Sequence, residues 1–221
     1  MMSEPSEMPA ASGRRAKPII IVADSGYLAE VVSLIEHPVD GAPGIVVALV
    51  HDGDSASDLS ASIAARLAVP LLGSVDDMPN TAIALTVGST ARREELAIGR
   101  ELVTLVHQDA TVGRWVELGE GTIVSPGARL TANITVGRGC LINAAAVLSH
   151  DDVLGDFVTV SPSATLCGGV TVGSRTNIFA GATIMPGVTI GDDATVGAGA
   201  LVNSDVASGV TVIGVPARPL K

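Results

Sequence analysis

Aromatic side chains are scarce in this chain: one Trp, one Tyr and two Phe make up 2% of its 221 residues. A core built around large rings is excluded, and with 47% of the chain apolar the interior must be thin and aliphatic. Basic residues are few, 13 against 23 acidic ones, so the formal net charge is -10 and the pI near 4.7. That balance argues against a nucleic-acid or anionic-membrane surface. A polyanionic ligand must then be held by local amides and a few Arg or Lys. No apolar run reaches the length of a membrane span. The first 17 residues, with Pro5, Pro9, Ser12 and Gly13, lack the apolar centre of a signal peptide and read as a disordered leader. Histidine is limited to four residues and cysteine to two.

What the sequence does contain is a period. Every sixth residue from Val106 to Val202 is Val, Leu or Ile, 17 in succession. A period of six fits neither a helix nor an alternating strand. It is the signature of a parallel β-helix, each repeat being one short strand and a turn, with three repeats per coil. Residues 18 apart then stack. The fourth residue after each lattice position should also point inward, where space is short, and 16 of these 17 are small or β-branched. The exception is Asp152. Cys140 and Cys167, one and a half coils apart, belong to different faces and are expected to stay unpaired, which suits a reduced, cytoplasmic setting.

Residues 18–105 follow another rhythm. Apolar runs at Ile19–Ala23, Ile45–Val50, Ala82–Val87 and Leu102–Val106 alternate with helical patterns, which predicts β-α-β units around a small parallel sheet. Ser25–His37 places Leu28, Val31, Val32 and Ile35 on one helical face. The turn Ala23-Asp24-Ser25-Gly26-Tyr27 joins strand to helix, where amides commonly meet a phosphate, so Ser25 and Gly26 are candidate ligand contacts. Asp24 is either a helix cap or a ligand. After the second run, His51-Asp52-Gly53-Asp54 is either a plain polar turn or a nucleoside contact through carboxylates such as Asp52. Gly88-Ser89-Thr90-Ala91-Arg92-Arg93 opens another helix, and its arginines either grip a phosphate or stay solvated.

Of the four histidines, His37 ends a helix before Pro38, His51 lies in a loop, and His107 sits at the domain junction as a structural cap. His150 differs: two residues after Leu148, it points away from the prism near a corner, where packing gives it no purpose. Asp151 can fix its tautomer and leave the other ring nitrogen as a general base. Gly168 lies one coil along, roughly 5 Å away, where a glycine amide can approach a reacting carbonyl. Cys167 beside it reads as a small structural residue rather than a nucleophile.

Ile142-Asn143, His150-Asp151, Leu154-Gly155-Asp156, Cys167-Gly168-Gly169-Val170 and Gly214-Val215-Pro216-Ala217-Arg218 together resemble the bacterial acetyl-CoA-dependent sugar acetyltransferases of the NeuD/PglD-like family. The likeness covers roughly residues 18–221. It implies a small Rossmann-like α/β domain (18–105) that holds a sugar nucleotide. A left-handed parallel β-helix (106–207) and a short tail (208–221) would follow. It also implies a homotrimer with sites between subunits. His150 matches the general base, Asp151 its orienting acid, and Gly168 the amide facing the thioester. Ala180 and Ala198 match amides along the pantetheine track, and Asn143 an acceptor-side polar residue. Two departures stand out: the first turn keeps one glycine and adds Asp24 where the family has a glycine-rich turn, and Asp152 replaces a small inward residue.

The expected activity is N-acetylation of an amino-deoxy sugar linked to a nucleotide, using acetyl-CoA and no metal. O-acetylation of a sugar or sialic acid hydroxyl is the alternative. A metal hydratase on the same scaffold would need about three converging histidines, whereas the array holds only His107 and His150. A non-catalytic assembly protein is the remaining reading.

Overall fold

The computed structural model describes residues 18–23, 31–32, 45–51 and 58–220. Pro18–Ala23 (β1), Ile45–His51 (β2), Leu71–Leu72 (β3) and Ala82–Leu85 (β4) form a parallel sheet in the order β3-β2-β1-β4. β1 is a continuous aliphatic run because it lies in the interior of the sheet with both faces covered; Ile20, Ile21 and Val22 are fully buried. Asp58–Leu67 (α1) places Ile63 and Ala64 in the same core as Ile19 and Leu49. Thr90–Leu96 (α2) is capped by Ser89, whose Oγ accepts from the Arg92 amide at 3.3 Å. Of the helix expected over Ser25–His37, Val31 and Val32 are helical, while Leu28 and Ile35 lie outside the described residues.

The fourth apolar run is not a strand of this sheet. Leu102 makes a single parallel bridge to Ile83, and Leu105–Val106 (β5) is already the first rung of the β-helix, paired with Ile123–Val124. The run passes from one core to the other, which its uniform apolarity cannot reveal. β3, two residues long after Pro70, is too short to register as a period.

From β5 onward, strands of two or three residues pair in parallel with partners 18 residues away, as Val147–Leu148 does with Thr165–Leu166. They form three faces. The first face begins with β5, the second with Thr111–Val112 and the third with Val116–Leu118. Lattice residues such as Leu148, Leu166 and Ile184 are fully buried, as are the fourth-position Ala146, Ala164 and Ala182. Between them the third residue of each corner from Trp115 to Gly199 takes a left-handed backbone, with φ 55° at Asn133, 65° at Asp151 and 59° at Ser163. That single conformation turns the chain from one face to the next, so corner side chains are aimed by the fold rather than by local preference.

The period ends where residue 208 is Ser. There the coil closes two residues early, Thr211–Ile213 pairing with Thr195–Val196, and Arg218–Pro219 adds an antiparallel cap. Residues expected as a tail thus complete the first face.

The two units share their cores. Leu105, Ile123 and Leu141, which project from the first face, are buried with Ile19, Ile21 and Leu49, and Phe157 packs with Ile20, Ile83 and Leu102. The Arg93 side chain, 0% exposed, reaches across from α2 and donates to the carbonyls of Gly139 (3.1 Å) and Phe157 (2.8 Å) and to Thr159 Oγ1 (2.8 Å). Both roles expected for it, at a phosphate or in solvent, are thereby corrected: the guanidinium is a tie between domains.

Candidate active site

His150 stands on the corner between the second and third faces, its side chain 69% exposed. Its Nδ1 lies 2.7 Å from Asp151 Oδ2, and Asp151 Oδ1 accepts from Asn133 Nδ2 at 2.6 Å. The bond from Asn133, and then the one from His150, hold the Asp151 carboxyl below its usual range. An ionised Asp151 keeps the proton of neutral His150 on Nδ1 and leaves Nε2 with its lone pair unprotonated. Asn133 was not singled out from sequence, although 133 and 151 are 18 apart and the stacking rule places them one above the other.

Gly168 completes the group. A Cβ built on it would fall 2.5 Å from His150 Cε1 and 2.6 Å from Nε2, so the ring rests against the glycine and no larger residue leaves it room. The Gly168 amide donates to no group among the described residues. The corner between the third and first faces treats the equivalent amides differently. There Arg138 donates to Asp156 Oδ1 at 2.9 Å, Asp156 to Ser174 Oγ at 3.1 Å and Ser174 to Asp192 Oδ1 at 2.7 Å. Each is capped by the residue 18 further on. The residue 18 beyond Gly168 is Pro186, which offers no acceptor. An outward N–H thus remains beside the imidazole, an arrangement suited to proton removal and oxyanion stabilisation at one reacting centre.

The other candidates lie elsewhere. Asn143, Ala180 and Ala198 follow strands of the first face and so occupy the corner between the first and second faces, away from His150 in the same chain. Asn143 is 2% exposed and its Nδ2 has no partner among the described residues. Ala180 and Ala198 are exposed, and their amides also donate to nothing among the described residues. Ser25, Gly26 and Asp52, with Asp24, lie outside the described residues.

His107 is buried and accepts from the Asp109 amide at 3.1 Å, as a structural cap does. Cys140 and Cys167 are both free, and burial pushes the Cys140 thiol up to about 12. Among the described residues no three His, Cys, Asp or Glu side chains are grouped to hold a metal ion, and no helix is long and apolar enough to cross a membrane.

Residues 169–204 match the family model of the bacterial transferase hexapeptide, six repeats. A search of curated proteins finds no significant match. Among solved structures, a perosamine N-acetyltransferase from Caulobacter crescentus, crystallised as a histidine-to-asparagine mutant with CoA and GDP-perosamine, is 30% identical. The alignment covers 96% of this chain and 98% of that one, with a TM-score of 0.80. The chain belongs to the NeuD/PglD-like family of hexapeptide-repeat sugar acetyltransferases. Its prism is the left-handed parallel β-helix of that family, and the protein is an acyltransferase. The acetyltransferase domain of PglB from Neisseria gonorrhoeae FA1090 is 29% identical over 92% of this chain and 100% of that one, with a TM-score of 0.80. WeeI from Acinetobacter baumannii AYE is 29% identical over the same shares, with a TM-score of 0.72.

Proposed function

We propose that the protein transfers the acetyl group of acetyl-CoA to the amine of a nucleotide-linked amino-deoxy sugar. The observation that carries this reading is the pairing of a carboxylate-held imidazole with an uncommitted outward amide, His150 over Gly168. In the reaction the sugar nitrogen bonds to the thioester carbon while His150 Nε2 takes its proton. The oxygen, as it gains charge, rests on the Gly168 N–H. The C–S bond then breaks, and the thiolate of CoA leaves and receives that proton. Asp151, held by Asn133, keeps the ring oriented and stabilises its charged form. Perosamine N-acetyltransferase, crystallised with CoA and GDP-perosamine, supports both substrate classes.

The two half-sites support a trimer. His150 and Gly168 lie on one corner, while the free amides of Ala180 and Ala198 and the buried Asn143 lie on another. A threefold, head-to-tail arrangement sets one corner of a subunit against the other corner of the next. Coenzyme A then runs past Ala180 and Ala198 to reach the neighbour's Gly168. Residues 18–105 hold the nucleotide through Ser25, Gly26 and Asp52, and the enzyme works in the cytoplasm, where acetyl-CoA is made.

The test is thiol release from acetyl-CoA against a panel of nucleotide-linked amino sugars and their hydroxyl counterparts. Turnover with an amino sugar and none with its hydroxyl counterpart supports the reading. Turnover with hydroxyl acceptors alone replaces it by O-acetylation, and no turnover with either defeats it.

A further inference from the structure

We propose that Asp152 is a positioning residue that works as a neutral carboxylic acid, donating from inside the coil to the Cys167 carbonyl so that the Gly168 amide points outward. The proposal rests on the reading of Gly168 as the donor to the thioester oxygen.

Three other polar side chains occupy the same inward fourth position, and they behave alike. Thr122 Oγ1 accepts from the amide of Cys140, 18 residues on (3.3 Å), and donates to the carbonyl of Gly137, 15 residues on (2.8 Å). Thr176 Oγ1 accepts from the Ala194 amide (3.3 Å) and donates to the Gly191 carbonyl (2.7 Å). Cys140 Sγ donates to the Gly155 carbonyl (3.2 Å). Asp152 makes the first half of the bridge: its Oδ1 accepts from the amide of Val170, 18 residues on, at 2.8 Å. The carbonyl 15 residues on is that of Cys167, which accepts from nothing among the described residues. Asp152 Oδ2 is buried without a partner among them. A carboxylate would set oxygen against oxygen there, whereas a carboxylic acid supplies the missing hydrogen.

The consequence for the amide follows from peptide planarity, which fixes C=O and N–H on opposite sides. Where Thr122 holds the Gly137 carbonyl inward, the next amide, Arg138, points out to Asp156; where Cys140 holds the Gly155 carbonyl, the Asp156 amide points out to Ser174. Cys167 and Gly168 share the corresponding peptide, and here the outward N–H is left for the substrate. Burial pushes the Asp152 carboxyl up to about 7, and Asp151 adds to the rise. The Val170 and Ser149 amides and His150 oppose it.

The test combines an infrared measurement with a rescue. In the full-length protein at about pH 6, a protonated-carboxyl carbonyl band is expected that is absent from Asp152→Asn and fades in the wild type toward about pH 8.5. In thiol-release assays, Asp152→Thr, which restores the bridge of Thr122 and Thr176, should keep its activity at about pH 8.5 while the wild type falls. Asp152→Ala should lose about tenfold at both pH values, less than the ~10²-fold typical of removing an oxyanion donor outright. Absence of the band overturns the proposal, as do identical pH profiles for the wild type and Asp152→Thr, or an Asp152→Ala variant as active as the wild type. If no acceptor supports transfer at all, the functional reading fails on its own, and the infrared band still decides whether Asp152 is a neutral acid.

Discussion

The imidazole of His150 rests against the α-carbon of Gly168, so closely that a methyl group there would fall 2.5 Å from Cε1. Both residues are the second after a lattice position, one coil apart, so the fold itself superposes imidazole and amide.

Gly168→Ala tests that superposition. The glycine does not have a positive φ, so the backbone accepts alanine and the collision falls on the ring. Turnover should drop by ~10²-fold, as for a misplaced catalytic group, with the melting temperature near that of the wild type. Steady-state kinetics beside differential scanning calorimetry check both.

Asn133→Ala removes the largest influence holding the Asp151 carboxyl low. Asp151 then protonates at a higher pH, so the steep fall at the most acidic end of the pH-rate profile should begin at a higher pH than in the wild type. Asp151→Asn should cost less than loss of His150, because it perturbs orientation and leaves the base. A profile unchanged in Asn133→Ala would remove Asn133 from the site.

Stability should carry the signature of Asp152. Its carboxyl titrates near 7 when folded against an ordinary 3.8, so between these values the folded state binds more protons than the unfolded one. Stability is therefore lost as pH rises through this window and levels off above it. Denaturant titrations from about pH 4 to about pH 8.5 should show this slope in the wild type and a shallower one in Asp152→Thr.

Arg93→Met should weaken the domain junction. Each charge-assisted bond of this kind contributes about 1.5–3 kcal/mol, and three partners on the β-helix are lost together. Residues 18–105 should melt or be proteolysed at lower temperature than the prism, visible as two transitions in place of one. A single transition at the wild-type temperature would contradict the assignment.

The prism was legible because its period is written in every coil: buried aliphatics such as Leu148 and Leu166 recur every sixth residue whatever lies around them. The stacking of His150 on Gly168 follows from the same count. Asn133 obeyed that count too, but an asparagine in a left-handed corner looks like ordinary turn chemistry until its partner is seen. Arg93 fills neither role the sequence offered it for a different reason: its partners include carbonyls 46 and 64 residues away, and main-chain atoms carry no sequence signal. Asp152 stood out as an acid at an inward position, yet the use proposed for it could be read only from what Thr122, Thr176 and Cys140 do in equivalent places.

The most direct test of the account is turnover of His150→Ala and His150→Asn with acetyl-CoA and an amino-sugar acceptor, measured beside CoA affinity. The account predicts folded protein that still binds CoA while turnover falls by ~10²–10⁴, the range for losing a general base. Turnover within twofold of the wild type would contradict it.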